Sequence, residues 1–216
     1  APFVDIEGDL KPRPRFRTRA AMLWDDECLY VAADLEEPHL WATVDQRDVP
    51  VLVNHDFEVF IDPDGDGHEY YELEINALNT VWDLLLVKPY RDLAPAGPLS
   101  GDGSASPAVT AWDLAGLRSA VHLRGTLNYN GDVDDGWSVE LALPWRTLRQ
   151  CAHVPAPPRP RDQWRINFSR VEHPLEPLGA SYRSRPGVPV DNWVWSPHRI
   201  LNMHYPELFG YVQFAG

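Results

Sequence analysis

Two cysteines among 216 residues are too few for a disulfide framework or a cysteine-built zinc cage. Basic residues are scarce too: 19 Lys and Arg face 32 Asp and Glu, a formal charge of −13. Polyphosphates are held by Lys and Arg neutralising phosphates, so nucleic acid is excluded as a partner. The longest apolar run, Cys28 to Ala33, covers six residues, against the roughly 20 that a membrane-spanning helix needs. No membrane span is expected. Neither end carries a basic, then apolar, then small-residue leader, so any export signal is expected to have been removed or never to have existed. Catalytic signatures are missing as well, with no Gly-x-Ser-x-Gly elbow, phosphate loop or dinucleotide fingerprint. His68-Glu69-Tyr70-Tyr71-Glu72 opens like a zinc-protease helix but lacks the second histidine and reads as a strand.

What the chain has in excess is proline, 21 residues, roughly twice average usage. That density forbids long helices and suits a loop-rich all-β protein. The length suits a single domain, residues 1–216, with a real core. Short alternating runs bounded by turn residues recur. Thr18–Trp24 and Cys28–Leu35 flank Asp25-Asp26-Glu27 as a hairpin. Phe57–Asp62 and Tyr70–Asn76 flank an Asp/Gly loop, and Val81–Val87 follows. Ser119–Leu127, Gly136–Leu143, Gln163–Val171 and Leu208–Phe214 complete the set, with one helical turn at Pro144–Leu148. Lys88–Pro107, Ala152–Asp162 and His173–Asp191 read as long loops.

Alternation sorts these strands into faces. Val59, Ile61, Tyr71, Leu73, Ile75, Val139, Leu141, Leu143, Ile166 and Phe168 form an apolar set. Glu58, Glu72, Glu74, Asn76, Asp83, Glu140, Arg165 and Asn167 form the opposite one. Such a polar face is either a solvated surface or a polar binding platform.

Two features bear on chemistry. Asp62-Pro63-Asp64-Gly65-Asp66-Gly67 has the alternating carboxylates of a calcium loop, but the twelfth position is Leu73 where an EF-hand needs Glu. It reads as a calcium site at Asp62, Asp64 and Asp66 or as a metal-free hairpin turn. Asp132 and Asp134 form a less regular candidate. Of nine tryptophans, Trp24, Trp137, Trp145 and Trp164 read as packing. Trp41, Trp82, Trp112, Trp193 and Trp195 lie nearer loops, where a ring can either anchor the loop or offer a flat face to a sugar.

Asp56–Asp62 followed by Tyr70–Asn76 resembles the family 9 carbohydrate-binding modules, and more closely the stand-alone family 9-like proteins. Leu23-Trp24-Asp25-Asp26, Gly136-Trp137-Ser138-Val139-Glu140 with Pro144-Trp145, Trp164–Arg170, Asn192–Pro197 and Gly210–Phe214 extend the likeness in family order. The resemblance implies an antiparallel β-sandwich of the wider DOMON-like kind with structural calcium, acting outside the cell or in the periplasm. Asn192 and Trp195 fall on the family's Asn-x-x-Trp and Glu58 on its sugar-bonding Glu. Leu52 stands where the second clamp tryptophan is expected, and Glu74 where an arginine is. The family's opening strand before Phe3 is not found, which reads as a trimmed N-terminus.

The expectation is therefore a non-catalytic protein binding oligo- or polysaccharide, accessory to polysaccharide degradation, through Trp195, Trp193, Asn192, Glu58, Glu74, Asn76 and Arg165. Glu58, Glu72 and Glu74 would repel uronic acids, which favours neutral sugars. Two alternatives stand beside it: a glycoside hydrolase pairing Glu58 with Glu74 or Glu140, and a haem-binding sandwich ligated by Met203 or Met22 with a His or Lys. The oligomeric state is not legible.

Overall fold

Side-chain alternation decides where the layers meet. The computed structural model describes residues 2–92 and 107–215, and its fourteen strands run β1 Val4–Asp5, β2 Thr18–Trp24, β3 Cys28–Leu35, β4 Asp56–Asp62, β5 Tyr70–Asn76, β6 Val81–Leu86, β7 Ala108–Val109, β8 Arg118–Arg124, β9 Gly136–Pro144, β10 Gln163–Glu172, β11 Leu175–Leu178, β12 Ser181–Ser184, β13 Asp191–Val194 and β14 Gly210–Gln213. One α-helical turn, α1 Trp145–Leu148, follows β9 with Pro144 extended before it. The larger sheet has the order β1-β13-β10-β4-β5-β6-β7, with β14 also on β10. The smaller sheet has the order β2-β3-β9-β8, and β11-β12 is a separate hairpin. All these pairings are antiparallel. This is an all-β sandwich. No helix among the described residues is long and apolar enough to cross a membrane.

Every member of the expected apolar set lies in the core between the sheets, joined there by Trp137, Trp145, Trp164 and Trp193. Gly136 is what lets β9 enter beside β3. Its φ of +127° is open to glycine, and a Cβ there would run into the Leu35 carbonyl.

The structure corrects several expectations. The stretch 173–191 is not only loop, because it carries β11 and β12. The strand expected at Ser119–Leu127 stops at Arg124, before Gly125 at φ +155°. Leu208 belongs to a 3-10 turn, so the last strand opens at Gly210. Most of Lys88–Pro107 lies outside the described residues. Asp83 does not share the face of Glu74: Trp82 pairs with Glu74, while Asp83 pairs with the core residue Leu73. There Asp83 accepts hydrogen bonds from the Leu114 amide and the Arg47 guanidinium.

The largest correction concerns the outer face of the larger sheet, which is not solvated. A second apolar cluster, including Ile6, Phe60, Tyr70, Leu84, Met203 and Phe209, covers one end of it. A 3-10 turn at Val51–Val53 crosses the other end, its Val51 and Leu52 amides donating to Glu74 at 3.0 and 2.8 Å.

Candidate functional site

Beneath that cover the acids at alternate positions of β4 and β5 become neighbours. Glu58 pairs with Glu74 and Asp56 with Asn76, while Glu72 pairs with Phe60 one row along. Asp56, Glu58, Glu72 and Glu74 are only 0, 4, 5 and 1% exposed. An oxygen from each of Asp56, Glu58 and Glu74 lies within 4.8 Å of the other two. Asp56 Oδ1 accepts the Val171 amide and Glu74 Oε2 the turn amides. Asp56 Oδ2, Glu58 Oε2, Glu72 Oε2 and Glu74 Oε1 have no partner, and neither does the Ser169 hydroxyl beside Glu58 in the sheet. Burial drives all four carboxyls toward their protonated forms. Glu58 is pushed up to about 7, with the nearby Ser169 hydroxyl tempering the shift. Neighbouring carboxylates push Asp56, Glu72 and Glu74 further in the same direction.

A second buried cluster is neutralised from within. Arg170, itself fully buried, donates to Glu37 at 2.6 Å and to Glu172 at 2.8 Å. His55 lies 3.4 Å from Glu172, and burial lowers its pKa to about 4. Burial works to raise Glu172, but His55 and Arg170 outweigh it and the net shift is downward. The guanidinium fills the place a cation would take. Asp134 is also fully used, its two oxygens accepting the Leu40 and Thr126 amides, and Asp132 accepts the Thr126 hydroxyl. That pair staples a loop.

The Asp62 loop is intermediate. Asp62, Asp64 and Asp66 bring oxygens within 4.8 Å of one another. Both Asp62 oxygens already accept amides, from Gly65 at 3.0 Å and Gly67 at 3.1 Å. Burial raises Asp62 to about 6. Asp64 and Asp66 face solvent, so the donor set fits a hard cation at the surface while also serving as a self-capped turn.

A cleft lined by charged side chains lies at the β1–β13 edge, about 460 Å³ in volume. Asn192 and Trp193 line it together with Asp5, Arg13, Arg15 and Asp191. Arg15 bridges to Asp191 at 2.6 Å and lies over the Trp193 ring at 5.3 Å.

Residues 4–86 match the family described as carbohydrate family 9 binding domain-like. A family 9 carbohydrate-binding module from Caldicellulosiruptor kristjanssonii solved with cellotriose superposes with a TM-score of 0.57 at 16% identity, over 95% of this chain and 78% of that one. The chain shares the fold of these modules. The glucose complex of a module from the same organism gives a TM-score of 0.58 at 16% identity, over 95% and 80% of the two chains. A candidate carbohydrate-binding protein from Bacteroides uniformis gives 0.65 at 16% identity, over 99% and 84%. No curated protein is significantly similar in sequence.

Within this sandwich the expected sugar residues do not assemble into one site. Glu58, Glu74 and Asn76 share the covered outer face. Asn76 is consumed by its own turn, donating to the Val44 carbonyl and accepting the Leu78 and Thr80 amides. Trp193 and Trp195 pack on the inner side, Trp193 buried in the core and Trp195 against Phe168 at 5.9 Å. Leu52, 43% exposed, rides on the turn over Glu74, so it does not face Trp195 in a clamp. Arg165 sits four residues along β10 from Ser169 and donates to the Phe209 carbonyl and the Tyr211 hydroxyl. The glycosidase pairings fail on access. Glu58 and Glu74 are enclosed, and Glu140 faces solvent from the smaller sheet. Met22 packs against the core between the sheets, and Met203 lies in the second cluster on the outer face. Sequence reasoning missed Asp56, Asp5, Arg13, Arg15 and the Arg170 cluster. The alternate acids of two successive strands were a usable signal for Asp56, whereas nothing local marks the cleft.

Proposed function

We propose that this chain is a non-catalytic carbohydrate-binding protein, accessory to polysaccharide degradation outside the cytoplasm, whose ligand seat is the cleft at the β1–β13 edge. The observation that carries the reading is a fold shared over 95% of the chain with modules solved holding cellotriose and glucose. The cleft supports the placement. Its size falls in the usual range for small-ligand sites. Three acids, Asp5, Glu7 and Asp191, and three bases, Lys11, Arg13 and Arg15, line it together with Asn192. A ligand dense in hydroxyls, each donor and acceptor at once, matches such a wall. Structural calcium at Asp62, Asp64 and Asp66 belongs to the same reading, supported by their convergent oxygens.

A glycan array followed by titration calorimetry tests it. Neutral oligosaccharides should be retained with Kd on the order of 0.1–1 mM, about −5 kcal/mol. Asn192→Ala should weaken binding by about 1–3 kcal/mol, because sugar hydroxyls lose a buried partner. Unchanged affinity in that variant moves the seat off this cleft. An array on which no glycan is retained removes the function.

A further inference from the structure

We infer that Asp56, Glu58 and Glu74, with the Ser169 hydroxyl beside them, form a buried site for one hard divalent cation, distinct from the Asp62 loop. The cluster is built in the manner of a ligand cage. Asp56 and Glu74 each have one oxygen fixed by backbone amides and the other without a partner. Glu58 Oε2 also has none, and one oxygen from each of the three falls within 4.8 Å of the others. Oxygens at roughly 2.3–2.6 Å from a common centre lie at most about 5 Å apart, so this spacing is compatible with one shared ion. Ser169 is an independent pointer. Its hydroxyl is fully buried, sits beside Glu58 on the adjoining strand, and has no partner outside the cluster. Buried hydroxyls and carboxylates find partners in native structures, so an unpaired set marks a missing one. All-oxygen donors select calcium, magnesium or manganese over softer metals.

Among the described residues no cationic side chain supplies a substitute. Arg170 serves Glu37 and Glu172, and Arg165 serves Phe209 and Tyr211. Glu72 adds a fourth carboxyl with one unpaired oxygen to the same face. The Val51–Val53 turn closes over Glu74, so the ion would be trapped as the turn docks and would leave slowly.

The test uses Asp64→Asn/Asp66→Asn protein, which disables the exposed loop, unfolded in chelator and refolded with calcium, manganese or magnesium chloride. Elemental analysis after gel filtration should find one equivalent of divalent cation, and brief EDTA should fail to strip it. Adding Glu74→Gln or Glu58→Gln should abolish that equivalent and raise the melting temperature in chelator, since repulsion is relieved. If the loop variant retains no divalent cation and melts identically with each salt and with chelator, the inference is wrong. That result needs no folding of the Gln variants and leaves sugar binding at the cleft untouched.

Discussion

Arg170 shows how much one side chain has to hold. It lies inside the sandwich with Glu37 and Glu172 against its guanidinium, and the rings of Phe16 and Trp193 stand 5.8 and 5.1 Å from it. Replacing both partners of such a pair with apolar groups often costs little, whereas removing one leaves a charge stranded in a poor solvent. Arg170→Met should therefore lower unfolding stability by about 3–5 kcal/mol in urea titrations. The triple replacement Arg170→Met with Glu37→Met and Glu172→Met should recover a large part of it. Equal losses in the single and triple variants would mean that shape, not charge, is what Arg170 supplies.

At the scale of elements, the β4–β5 hairpin holds both the most legible and the least legible parts of the molecule. Its loop closes on Asp62 through the Gly65 and Gly67 amides, both glycines at positive φ. Calcium there would stabilise the native state alone, by RT ln(1 + [L]/Kd). EDTA should lower the melting temperature of wild type, and Asp64→Ala should remove the part of that response owed to the loop. Superimposable melts of wild type and Asp64→Ala across a calcium titration would leave the loop a plain turn. The strands themselves were readable, since every residue that period-two alternation placed in the core lies there, Asp83 alone of β6 being put on the wrong face, and the β2–β3 hairpin was read to the residue. Alternation names a face but not what lies on it. The cover comes from the Val51–Val53 turn and from Met203 and Phe209, segments with no period to read. Strand β11 hides behind Pro177, and β13 is four residues among turn formers. Parity did carry one message about the site. Trp193 and Trp195 are two apart and share a face, so Asn192 just before them points the other way.

For the whole molecule, a charge of −13 sets the long-range field, while the cleft itself balances three acids with three bases. Polyanionic glycans should therefore be held off at low ionic strength, and neutral oligosaccharides should bind with little dependence on salt. Calorimetry with a cello-oligosaccharide and with a polyuronate at low and high salt checks this. Tight low-salt binding of the polyuronate would show that the local cations prevail. The order of the strands also governs how the molecule comes into being. Residues 4–86 hold β1 to β6, yet β3 meets its second neighbour only when β9 arrives, and β4 only when β10 does. Those two strands sit at the middle of opposite sheets, joined through α1. Neither layer can close while the first half of the chain is alone. Loop-closure entropy falls due before these distant pairings form, so folding is slow and depends on the C-terminal half. A fragment ending near Leu86 would expose β3 and β4 as bare edges and self-associate rather than fold.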